Sequence, residues 1–99
     1  MYAVIYQFDV VPGLEKDFER TWQLATESFI AHAGGLGSRL HKNEAGSYIA
    51  YAQWPNKNCW ESARQKLPKT ALENLQRMNE YCEGITVLFN MEVKKDLLL

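Results

Sequence analysis

Three side chains near the middle of the chain can do chemistry at neutral pH: Arg39, His41 and Trp54. An imidazole with an ordinary pKa can take up a proton. A guanidinium can hold the resulting anion, and an indole N–H can donate to a substrate oxygen. Trp22 and Trp60 offer two more flat apolar walls, and Ala50 and Ala52 leave room beside Trp54. The set fits proton removal from an aromatic ligand, with the anion held in a dry site. Each residue also has a plainer use. Arg39 and His41 suit a solvated edge strand. Trp22 and Trp60 suit a core, and His32 suits a helix C-terminus.

The elements that must position these groups follow from periodicity. Tyr48 to Trp54 reads as a strand, opened after Gly46 and stopped by Pro55. Its alternation places Tyr48, Ala50, Ala52 and Trp54 on one face and Ile49, Tyr51 and Gln53 on the other. Leu36 to Lys42 is the preceding strand, joined to it by a hairpin at 43–46. The loop length between paired residues decides the faces. An even loop puts Arg39 and His41 beside Ala50, Ala52 and Trp54, and an odd loop puts them on the opposite face.

Tyr2 to Val11 alternates as a first strand, and Pro12-Gly13 punctuates it. Leu14, Phe18, Trp22, Ala25 and Phe29 recur at helical spacing, which predicts a helix from Leu14 to His32 capped by Gly34-Gly35. Asn56 to Lys66 is a shorter helix with Asn56 or Asn58 as its cap. Pro68 separates it from a helix over Lys69 to Cys82 that ends before Gly84. Ile85 to Val93 alternates as the last strand. The order βαββαβ predicts an α+β, ferredoxin-like fold: a four-stranded antiparallel sheet with helices on one face. The other face still carries apolar side chains, so a homodimer with sheets packed face to face is expected. Leu97-Leu98-Leu99 ends the chain either without fixed structure or docked on a neighbouring subunit.

Composition narrows the function classes. The chain of 99 residues fits one domain spanning 1–99. The net charge is -1 without a basic run, which disfavours a nucleic-acid partner. The N-terminus lacks a basic n-region, and no apolar run reaches bilayer length, so a cytoplasmic protein without membrane contact is expected. Cys59 and Cys82 have no metal-ligand spacing and read as reduced core residues in helices, with no metal expected. Aromatic residues make up 12% of the chain, which fits an aromatic ligand or an interface and equally a core that is simply rich in aromatics.

Pro12-Gly13, Gly34-Gly35-Leu36, and Tyr51-Ala52-Gln53-Trp54 followed by Trp60 together resemble the antibiotic biosynthesis monooxygenase family of the dimeric α+β barrel superfamily. The resemblance covers nearly the whole chain. It implies a cofactor-independent monooxygenase acting on a phenolic or polycyclic aromatic molecule, with Trp54 lining the pocket. The resembling enzymes keep an Asn where this chain has Ala50, and an Arg where it has Asn74. Asn74 is thereby a substrate-binding candidate. These departures favour a second reading, a non-catalytic dimer that binds an aromatic or apolar small molecule. A third is a structural dimer whose cavity is closed by Phe18, Trp22 and Phe29. The resemblance to the family's haem-degrading branch is disfavoured, because Lys69 to Cys82 contains no His and Ser62 stands near that branch's Trp.

Overall fold

Alternating apolar residues form one antiparallel sheet in the computed structural model, which describes residues 1–98. The elements are β1 (Tyr2–Val10), α1 (Glu15–Ala33), β2 (Gly37–Lys42), β3 (Tyr48–Trp54), α2 (Lys57–Ser62), a 3-10 turn (Ala63–Lys66), α3 (Lys69–Glu80) and β4 (Cys82–Glu92). The strand order is β2-β3-β1-β4. The fold is the ferredoxin-like α+β arrangement, with the helices on one face of the sheet.

Local chemistry sets the boundaries. The Gly13 N–H donates to Glu15 Oε1 at 2.7 Å as α1 begins. Gly34 closes α1 with φ at 78°, a left-handed cap open to glycine at little cost. Asn56 is the cap of α2, its side chain accepting from the Cys59 N–H at 2.9 Å. The helix expected over 56–66 tightens into the 3-10 turn at Ala63, five residues before Pro68. Cys82 is a correction: it is the first residue of β4, not the end of a helix. The chain leaves α3 at Tyr81, whose carbonyl accepts from the Val11 N–H at 2.9 Å. Cys82 then pairs with Val10, and Gly84 pairs with Asp9 within the ladder.

The buried face of the sheet carries Tyr2, Val4 and Phe8 from β1 and Tyr48, Ala50 and Trp54 from β3. Phe18, fully buried on α1, sits between Phe8 and Tyr48 with its ring tilted by about 50° to each and ring centres 5.0 Å apart. The opposite face has no helix on it. Phe89 is 59% exposed there, on the same face as Ile5 and Ile49. Leu97 and Leu98 are exposed, and Leu99 of the closing triplet lies outside the described residues.

Tyr48 ties the sheet to α1. Its hydroxyl donates to Glu19 Oε2 at 2.5 Å, and that bond, with burial and the carboxylate charges, pushes its pKa up from 10.0 to about 12. A folded pKa above the unfolded one stabilises the fold in full below pH 10.0 and loses that contribution as pH rises toward 12. Denaturant midpoints measured across this range should fall more steeply for the native chain than for Tyr48→Phe. Parallel curves would remove Tyr48 from the alkaline transition.

Candidate functional site

A cavity of about 490 Å3 lies between the sheet and the helices. Its size follows from small residues on facing layers: Ala25 on α1, Ala50 and Ala52 on β3, and Ala63 on the 3-10 turn all line it. The core falls into two clusters, one around Phe18 and one around Val4, with Tyr6 and Phe29 packed against both. The cavity occupies the gap. Phe18 lies in the core beside it, while Trp22 and Phe29 form wall and leave the space open. The filled-core reading is therefore overturned.

Five of the expected site residues meet here. Trp22, Ala50, Ala52, Trp54 and Trp60 all line the cavity. Trp54 is only 4% exposed and packs edge-on to Phe29, ring centres 5.6 Å apart. Its Nε1–H has no hydrogen-bond partner among the described residues and no open surface. That proton is sealed in the wall, so the expected donation from Trp54 to a ligand oxygen does not fit this geometry. Such an unpaired buried donor costs about 1–3 kcal/mol.

Three expectations are corrected. Lys42 pairs with Tyr48, so the hairpin loop runs from Asn43 to Ser47 and is odd in length. Ser38 and Leu40 consequently share a face with Ala50 and Ala52, and Arg39 and His41 point to the helix-free side. There His41 is exposed, with Nδ1 3.1 Å from the Ile49 carbonyl. Arg39 and His41 border a separate depression with Tyr51 and Gln53. Asn74 is buried, but its Nδ2 donates to the Thr21 carbonyl at 2.9 Å. That bond clamps α3 to α1 and places Asn74 outside the cavity lining.

Three groups that line the cavity, Tyr6, Glu61 and Arg64, were not singled out from the sequence. Tyr6 sits on β1 opposite Ala50. Its hydroxyl accepts a hydrogen bond from Trp60 Nε1 at 2.7 Å. Burial pushes its pKa up, and the Trp60 bond offsets only part of that, so the phenol stays protonated at neutral pH. Glu61 and Arg64 are exposed and flank the opening. Among the described lining residues they are the only carboxylate and the only cation. Tyr6 was legible as an inward strand residue, and the helical spacing of Trp60, Glu61 and Arg64 gave no sign of which side faced the sheet. No cluster of metal-ligating side chains occurs among the described residues, and no helix is long and apolar enough to cross a membrane.

Several solved structures share this architecture. SnoaB, a cofactor-independent oxygenase from Streptomyces nogalater, superposes with a TM-score of 0.79 at 15% identity, over 97% of this chain and 95% of that one. Rv0793 from Mycobacterium tuberculosis gives 0.77 at 13% identity, over 98% of each chain. A Bordetella bronchiseptica protein described as a candidate antibiotic biosynthesis monooxygenase gives 0.77 at 21% identity, over 95% and 97%. At these identities the likeness is one of fold. No curated protein matches the sequence. The antibiotic biosynthesis monooxygenase family model matches residues 1–68, which include β1 to β3, α2 and the cavity residues Tyr6, Trp54 and Trp60, and the chain belongs to that family.

Proposed function

We propose that the chain is a cofactor-independent monooxygenase for a phenolic or polycyclic aromatic molecule. The observation that carries this reading is the cavity of about 490 Å3 walled by Trp22, Trp54 and Trp60, in a chain of this family. Its volume suits a drug-sized ligand, and its walls are largely apolar with few polar groups. The reaction needs no electron source beyond the substrate. The phenol loses its proton, and the phenolate passes one electron to dioxygen. The radical pair joins at a ring carbon, and the peroxide loses water to leave a quinone. One oxygen atom enters the ring and the other leaves as water.

This chain's residues would contribute binding and electrostatics. The indole walls would exclude water and stack on the ring. Glu61, the only carboxylate among the described lining residues, would accept the proton, and Arg64, the only cation there, would hold the anion. These two replace Arg39 and His41, which face away. A second reading, binding without turnover, is favoured by one observation: the sealed Trp54 N–H leaves few inward donors.

Oxygen uptake with a panel of hydroquinones and hydroxyanthracenes, without added metal, separates the two. Oxygen consumption matched one-to-one by quinone is the expected result. Saturable binding without uptake for every compound would leave the binding module. The reading includes a cytosolic homodimer of a single domain spanning 1–99, joined over the helix-free sheet face where Ile49 and Phe89 lie. Sedimentation at micromolar concentration should give the dimer mass, and a stable monomer would reject that part.

A further inference from the structure

We infer that the Tyr6 hydroxyl selects the ligand, donating its proton to an acceptor oxygen, best a phenolate, on an aromatic ring held in the cavity. The inference rests on the cavity being a ligand site. Trp60 Nε1–H donates to the Tyr6 oxygen at 2.7 Å, which occupies a lone pair and leaves the hydroxyl proton to point elsewhere. No acceptor among the described residues takes that proton. Ala50 stands directly opposite Tyr6 in the ladder and ends in a methyl group, so nothing polar on that neighbour competes for it.

The ring is held in place before any ligand arrives. Phe8 stacks against Tyr6 with ring centres 6.0 Å apart and planes inclined by 30°. Trp60 is fixed in turn by α2, whose start is pinned by the Asn56 cap, and by Tyr2 at 5.8 Å. A hydroxyl that already accepts a hydrogen bond is a stronger donor through the other side. A donor that stays neutral favours an anionic oxygen over a hydrocarbon edge without itself releasing a proton. The Trp60–Tyr6 pair thus gives the largely apolar cavity a directed polar contact.

Naphthol and naphthalene, titrated in the absence of oxygen, test this. Tyr6→Phe should weaken naphtholate binding about tenfold and naphthalene binding less than about twofold. Bound naphthol should ionise about one pH unit lower in the native protein than in Tyr6→Phe, read from its absorbance. If Tyr6→Phe does not fold, Trp60→Phe keeps the phenol but removes its polarising donor, and should raise the pKa of bound naphthol by a smaller amount. Equal losses for both ligands, or an unmoved naphthol pKa, would overturn the role of Tyr6 while the site stands. Failure of the native protein to bind either compound would overturn the site, and the inference with it.

Discussion

Ala50→Leu should cost ligand binding about ten- to a hundredfold while leaving the empty protein at least as stable. Ala50 is 1% exposed, yet its methyl borders the cavity, so a longer side chain at this position has space to enter. In the empty protein the leucine would bury apolar surface in unoccupied volume, and cavity filling typically gains about 0.5–2 kcal/mol. The ligand would meet the opposite sign. It must displace the leucine or bind in a smaller space, and overpacking of that kind costs about 1–3 kcal/mol. Denaturant titration and ligand titration on the same variant read the two effects separately. Unchanged affinity with raised stability would mean that ligands bind elsewhere. A large stability loss would mean that the sheet and helices cannot separate enough to admit the side chain.

Trp54→Ala should destabilise the protein by about 3–5 kcal/mol, the usual range for truncating a buried large aromatic. A domain of this size has about 5–15 kcal/mol in total, so the variant should unfold at a much lower urea concentration. The indole is 4% exposed and makes the edge contact with Phe29 that holds β3 against α1. Trp54→Phe should behave differently. It keeps most of the ring contact and removes the unpaired N–H, whose burial costs about 1–3 kcal/mol. The loss from the smaller ring and the gain from the missing donor offset each other, and the midpoint should barely move. A small effect of Trp54→Ala would show that this wall is not core. A large loss in Trp54→Phe would show that the N–H finds a partner in solution.

The fold was legible because each element carries its own period. The alternation in Tyr2 to Val10 and Tyr48 to Trp54, and the spacing of Phe18, Trp22 and Ala25, depend only on which residues must be covered. The end of α3 was less legible. The pairing of Cys82 with Val10 is a long-range contact, and local spacing carries no information about it. The site divided along the same line. Ala50, Ala52 and Trp54 follow from one strand's alternation and stand in the cavity wall. Arg39 and His41 depended on a loop length that sequence leaves open, and Asn74 on which side of a helix meets its neighbour. The inward position of Tyr6 was legible from the strand's alternation, but its hydrogen-bonding role depends on Trp60, 54 positions away in the chain.

The hairpin from Asn43 to Ser47 also bears on how such a site could change during evolution. Removing one residue from that loop, if the turn kept its five-residue length and β3 its place, would shift β2 by one register step. Every side chain on β2 would exchange faces. Leu40 would then turn to the helix-free side, and Arg39 and His41 would turn toward the cavity. A base and a cation for the interior are thus stored on the back of the sheet, one deletion away. The barrier to using them is the burial of Leu40, which packs against the Phe18 cluster and holds the present register. In that register a base and a cation would face the cavity without any change in side-chain identity.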